Sequence, residues 1–179
     1  MTLPLQGEIA LVTGASRGIG AAIADTLAAQ GATVIGTASE KNHDRIRQLG
    51  GIPIAYGDGL VERVRALAPQ GVDFALDAAG TDEANLASLE LVADRSHIAT
   101  IVRGADAVGW GIQAYSGGSP TPLTNEQQAQ RTDGIRRAAE LAAEGRFDVE
   151  IARTLPLEEA VEAQTLIEKG GFRGKIVLL

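Results

Sequence analysis

The feature that most constrains this chain is a turn of three spaced glycines. It runs Thr13-Gly14-Ala15-Ser16-Arg17-Gly18-Ile19-Gly20, directly after the apolar, β-rich stretch Ile9-Ala10-Leu11-Val12-Thr13. Behind it Ile19, Ile23 and Leu27 recur at i, i+4 and i+8 before Gly31, the spacing of one helix face closed by a glycine. Strand, glycine turn and helix in that order make a βα unit, and such units repeat along the whole chain.

Thr33-Val34-Ile35-Gly36 reads as a second strand. A short helix around Asp44–Leu49 leads to Ile52-Pro53-Ile54-Ala55, and a helix over Leu60–Leu67 precedes Val72-Asp73-Phe74-Ala75-Leu76, the strongest buried-strand signal. Ala84–Val92 reads as helix, His97–Val102 as strand, and Gly111–Tyr115 as a further strand after a short turn. Gly117–Pro122 is the clearest loop. Thr124 and Gln127 have capping-box spacing and open a long helix through Ile135, Ala138, Ala139 and Ala142. Pro156 opens another, with Leu157, Ala160, Val161 and Ile167 along one face, and Gly174–Leu179 closes the sheet.

The pattern predicts an α/β fold: a doubly wound Rossmann domain spanning residues 1–179, with a six- or seven-stranded parallel sheet and helices on both faces. Its crevice is expected at the carboxyl ends of the first and fourth strands, where strand order reverses. A core built from 45% hydrophobic but only 3% aromatic residues suits helices laid on such a sheet.

Composition excludes several partners. A net charge of -7 disfavours nucleic acid and anionic membrane surfaces, which both require a basic face. No cysteine is present, and His43 and His97 are too few for the usual zinc ligand sets, so no metal is predicted. Neither an apolar span nor a basic leader is seen, which reads as a cytoplasmic protein.

The glycine turn points to a dinucleotide. Gly14 takes the tight turn, Gly18 lets a pyrophosphate approach the backbone, and Gly20 lets helix pack closely on strand. The helix N-terminus supplies free N–H groups and partial positive charge, so Gly14, Ser16, Arg17, Gly18, Ile19 and Gly20 are the expected contacts. NAD-selective domains place Asp or Glu after the second strand to hold the ribose hydroxyls. Here that place reads Gly36-Thr37-Ala38-Ser39, and hydroxyls with Arg17, Lys41 and Arg45 nearby suit a 2′-phosphate. NADP(H) is therefore expected over NAD(H), although Glu40 can also swing back onto a ribose.

Residues 5–36, with Ala10 to Gly20 at their heart, resemble the start of short-chain dehydrogenases, especially the NADPH-using β-ketoacyl-carrier-protein reductases. That resemblance implies a Tyr four residues before a Lys, but Tyr56 is followed by Leu60 and Tyr115 by Ser119 at that spacing. Asp77-Ala78-Ala79-Gly80 also stands where that family has Asn-Asn-Ala-Gly.

From Gly36 onward the chain resembles the cofactor domain of medium-chain, zinc-free quinone oxidoreductases. Ile35–Ser39, Ala55–Gly59, Val72–Gly80, Leu155–Val161 and Arg173–Leu178 carry that likeness. In that family Ser39, Lys41 and Tyr56 match positions that hold the 2′-phosphate, Ala79 and Gly80 match backbone lining the cleft, and Ala78 goes with them. The family also carries a separate N-terminal domain that covers the nicotinamide, which has no counterpart here, and it often pairs the strand matching Ile112–Tyr115 across a dimer. A homodimer through that edge is expected. The two likenesses meet near residues 36–40, as in a recombined or engineered hybrid retaining one cofactor site.

Three functions fit these residues. The first is an NADP(H)-holding module with no complete active site and no assignable catalytic residue. The second is an NADPH-dependent quinone or enone oxidoreductase completed by a partner chain or dimer, and the third a redox sensor. His43, His97 and Trp110 are expected in ordinary packing roles, and Asp58 and Asp77 at the crevice edge or as helix caps.

Overall fold

The computed structural model describes residues 2–115, 122–145, 149–172 and 174–179. The chain divides into a unit ending at residue 118 and a second unit from 119 to 179.

In the first unit, β1 (Ile9–Thr13) leads through the glycine turn to α1 (Gly18–Ala29), β2 (Thr33–Thr37), α2 (His43–Gln48), β3 (Ile52–Ile54) and α3 (Leu60–Leu67). Then follow β4 (Phe74–Asp77), α4 (Asp82–Leu91), β5 (Ile98–Thr100), α5 (Gly104–Trp110) and β6 (Gln113–Ala114). All six strands are parallel, in the order β3-β2-β1-β4-β5-β6. This is the Rossmann arrangement, with its reversal between β1 and β4.

Every residue of β1 is buried, as expected for a central strand covered on both sides. Its alternate side chains enter two cores. Ile9 and Leu11 pack with Ile35 and Ile98 against Leu60 and Val64 of α3 and Ala87 of α4. Val12 packs with Val34 against Ala24 of α1 and Ile46 of α2. Helices therefore lie on both faces, and strand alternation assigns each residue to one of them.

The α1 face departs from the expected one. Gly20, Ala21 and Ala24 are buried, whereas Ile23 and Leu27 are half-buried and Ile19 is 63% exposed. Small residues let α1 approach the sheet, and Ile19 in its first turn stays exposed. α5, which carries two glycines within seven residues, was not apparent from the sequence.

The second unit holds α6 (Asn125–Ala143), β7 (Ile151–Leu155), α7 (Ala160–Lys169) and β8 (Lys175–Leu178). Thr124 caps α6 through a complete capping box with Gln127. The closing strand pairs in parallel with β7, a strand not foreseen, in a separate two-stranded sheet. So small a sheet buries little: no described α6 residue is buried, Ile135 is 69% exposed, and Ala163 is the buried residue of α7. The expected loop at Gly117–Pro122 falls, except for Pro122, outside the described residues.

Candidate dinucleotide site

The site begins where β1 ends. Gly14 (φ +66°) donates its N–H to Thr37 Oγ1 at 3.1 Å, and Ala15 N–H donates to the Thr37 carbonyl at 3.1 Å. These bonds fasten the glycine turn to the end of β2. Arg17 is the extended N-cap residue of α1, and no side chain caps this helix or places an acid in its first turn. The first-turn N–H groups, which cannot find partners within the helix, are thus available to an anion.

The glycines divide the work between packing and access. A Cβ on Gly20 would stand 2.5 Å from the Gly14 carbonyl oxygen and 3.2 Å from Ala78 Cβ, so helix, turn and the exit of β4 touch through that missing atom. A Cβ on Gly14 would meet the Ala78 backbone at 3.1 Å. At Gly18 (φ +57°) the same atom would meet nothing within 4 Å. Tight contact below and open space above fit a pyrophosphate resting on the turn.

The crevice floor is fixed by Asp77. This fully buried side chain ends β4, and its Oδ1 accepts from Thr13 Oγ1 (2.8 Å), Ala79 N–H (3.1 Å) and Gly80 N–H (2.9 Å). Its Oδ2 accepts from Asn85 Nδ2 (3.1 Å) and Thr100 Oγ1 (2.8 Å). A buried carboxylate requires such partners, and here they tie β1, the 78–80 turn, α4 and β5 together. Asp77 is thus buried beneath the turn, neither at a crevice edge nor capping α4, whose N-cap is Thr81. The clue available in sequence was an acid ending a buried strand just before a small-residue turn.

Arg103 braces the same turn from the other side. Its guanidinium donates to the Gly80 carbonyl (3.2 Å), Asp82 (2.6 Å) and Asp106 (2.6 Å), and lies 5.3 Å from the centre of the Trp110 ring. Hydrogen bonding to Asp82, then to Asp106, holds it protonated even more firmly than usual.

At the ends of β2 and β3, Thr37 stands opposite Ile54, and Ala38 N–H donates to the Ile54 carbonyl at 3.0 Å. Ser39 and Tyr56 each lie two residues beyond that pair, so the register brings them to neighbouring strand ends. Ser39 Oγ accepts from Asn42 Nδ2 at 3.0 Å and opens a single 3-10 turn, Glu40–Asn42, in which Lys41 is exposed. Tyr56 is 60% exposed. Among the described residues neither Arg17 nor Lys41 forms an ion pair. Arg45 lies within 3.5 Å of Gln48 along α2. The structure therefore forms one group from the glycine turn and Ala78–Gly80, and a second from Thr37, Ser39 and Tyr56, with Thr37 belonging to both.

Elsewhere, His43 Nε2 lies 3.4 Å from the Ala38 carbonyl oxygen, and His97 packs on Phe74 with ring centres 4.7 Å apart. A trough of about 220 Å³ on the sheet face, lined by Ile23, Leu27, Phe74 and His97 among others, offers little to a phosphate.

Comparison with known proteins places this geometry. The family model described as zinc-binding dehydrogenase matches residues 52–178. The chain belongs to the zinc-binding dehydrogenase family. The short-chain dehydrogenase model matches residues 8–53, so the two models meet on β3, one strand beyond Gly36. The 3-oxoacyl-[acyl-carrier-protein] reductase of Escherichia coli is 76% identical over 37 residues, 21% of this chain and 15% of that protein. The quinone oxidoreductase from Coxiella burnetii has a TM-score of 0.63 at 23% identity, over 97% of this chain and 53% of that one. CurA from Vibrio vulnificus, solved in complex with NADPH, has a TM-score of 0.65 at 16% identity, over 98% of this chain and 57% of that one. The chain thus spans about half the length of these solved structures.

This zinc-binding dehydrogenase chain is a dehydrogenase-type nucleotide-binding domain. The described residues do not fit a zinc ion. They contain no group of three or more His, Cys, Asp or Glu side chains placed to hold a metal, and the sequence has no cysteine. Among them no helix is long and apolar enough to cross a membrane.

Proposed function

We propose that the chain binds NADP(H) and holds it without a complete active site of its own. The observation that carries this reading is the glycine turn: closed against Ala78 at Gly14 and Gly20, open at Gly18, and set on an uncapped helix N-terminus. In this reading Gly14, Ser16, Arg17, Gly18, Ile19 and Gly20 hold the pyrophosphate, and Ala78, Ala79 and Gly80 line the cleft. Thr37, Ser39, Lys41 and Tyr56 receive the adenosine end, where hydroxyls and a free ammonium favour a 2′-phosphate over a bare ribose.

Bound here, a nicotinamide would supply hydride chemistry. The sequence has no Tyr four residues before a Lys, and the reading assigns no residue as proton donor. Two further elements belong to it. One is a cytoplasmic location, in keeping with a chain free of cysteine. The other is a homodimer through β6, which among the described residues lies at the sheet edge with β5 as its one partner strand.

Parallel calorimetric titrations with NADPH and NADH test the central claim. Binding of NADPH well ahead of NADH, lost in Gly18→Val, is the expected result. Binding of neither dinucleotide would refute the reading, and equal binding of both would refute the 2′-phosphate assignment.

A further inference from the structure

Tyr56 sits on a turn that is held by side chains outside the expected site. Arg63, on α3, donates from Nε and Nη2 to the Ala55 carbonyl at 3.1 and 2.9 Å. The same Nη2 donates to the Gly57 carbonyl at 2.9 Å, and Nη1 to the Asp58 carbonyl at 2.7 Å. Opposite, Glu83 of α4 accepts from Gly57 N–H at 2.6 Å through Oε1. One guanidinium thus gathers carbonyls from both sides of Tyr56, while a carboxylate holds the intervening N–H. No bond in this set uses the Tyr56 side chain, which stays exposed beside the strand end that carries Ser39.

We infer that Arg63 and Glu83 are positioning residues that fix the 55–58 turn, so that the Tyr56 hydroxyl faces the 2′-phosphate end of the dinucleotide site. The planar fork of an arginine suits this task, because its donors diverge at set angles to several carbonyls at once; an ammonium carries equal charge without that geometry. Among the described residues Arg63 forms no ion pair, and the lysine variant separates the geometry of its fork from its charge. The inference rests on the NADP(H) reading above.

The test measures the ratio of NADPH to NADH affinity by calorimetry for wild type, Y56F, R63A, R63K, E83A and the R63A/Y56F double variant. Circular dichroism confirms that each is folded. Y56F is expected to lower the ratio about tenfold, the worth of one hydrogen bond to a charged group. R63A should lower it by a similar factor, the double variant no further, because Arg63 acts through Tyr56. R63K should match R63A. If R63A fails to fold, E83A, which loosens the turn from its other side, carries the comparison and should also lower the ratio.

A wild-type ratio in R63K would reduce Arg63 to a charge and overturn the inference. So would equal loss of both dinucleotides in R63A, the mark of a general structural role. If wild type discriminates and R63A discriminates equally well, the positioning inference fails while the dinucleotide reading stands. If wild type binds neither dinucleotide, both fail together.

Discussion

Replacing Asp77 should remove the support of the crevice floor, and its partners allow the cost to be worked out. In Asp77→Asn the oxygen facing Thr13, Ala79 N–H and Gly80 N–H is retained. The other oxygen becomes an NH₂ pointing at two donors, Asn85 Nδ2 and the Thr100 hydroxyl. Thr100 Oγ1 already accepts from Val102 N–H at 3.1 Å and Arg103 N–H at 2.9 Å, so its hydroxyl cannot turn round to accept a third. Inverting the Asn85 amide would give the new NH₂ an acceptor, but would set Oδ1 against the Thr81 carbonyl that Nδ2 now contacts at 2.9 Å. At least two buried donors are left unsatisfied on either path, at roughly 1–3 kcal/mol each.

The expected loss for Asp77→Asn is therefore about 3 kcal/mol, or roughly 10 °C in Tm for a unit of this size. Asp77→Ala strands the buried Thr13, Asn85 and Thr100 donors together. Its cost, on the order of 5 kcal/mol, approaches the whole stability of many domains. Urea unfolding followed through Trp110, the single tryptophan and part of the same unit, reads the change directly. An Asp77→Asn midpoint equivalent to within about 0.5 kcal/mol of wild type would refute the reasoning, since it would mean that Oδ2 carries no net stabilising bonds.

Gly20→Ala places a Cβ 2.5 Å from a backbone oxygen and should cost about 1–3 kcal/mol in urea unfolding. Gly18→Ala meets open space and should cost only about 1–2 kcal/mol for its left-handed backbone, yet lower dinucleotide affinity measurably in calorimetry. Thr124→Ala removes the α6 capping box and should destabilise that helix by about 1 kcal/mol, seen as earlier loss of helical signal on heating. Hydrogen bonds from the Ser96 hydroxyl, then its N–H, hold the Asp94 carboxyl below its ordinary range. A depressed folded-state pKa contributes stability that is full above the unfolded value and lost as pH falls through the folded one. Ser96→Ala should therefore narrow the difference in Tm between pH 6 and pH 2.5, and an unchanged difference would exclude the effect.

What could be read from the sequence was what is local. The run Ile9–Thr13 announced a strand and Leu60–Leu67 a helix, both with the bounds the structure has. The glycine turn was legible for the same reason: its demands fall on backbone atoms a few residues apart. β7 was hidden because its Arg153 and Thr154 are exposed and interrupt the apolar run. The partner of β8 is a question of long-range pairing, which apolar content alone does not decide. Asp77 collects donors from positions 64, 23 and 8 residues away, and Arg63 reaches carbonyls rather than side chains, so neither leaves a spaced motif.

The seam between the two family likenesses explains why the candidate site belongs to neither segment alone. Residues 8–53 resemble one family and residues 52–178 the other, and the sheet joins them where β1 pairs with β4. A parallel ladder is generic and would accept many partners. The contacts that make this pairing particular are side-chain bonds and close approaches. Asp73 Oδ2 accepts from Ile9 N–H at 2.8 Å, Thr13 donates to Asp77, and Gly14 and Gly20 leave room for Ala78. The glycine turn comes from the first segment and the floor beneath it from the second. At the other end Ser39 and Lys41 come from the first and Tyr56 from the second, joined by the Ala38–Ile54 bond. Because the glycine turn rests on Asp77 and Ala78 across this seam, and Ile9 and Leu11 share one core with Leu60, Val64 and Ile98, any change that weakens the β1–β4 pairing loosens the floor and that core together.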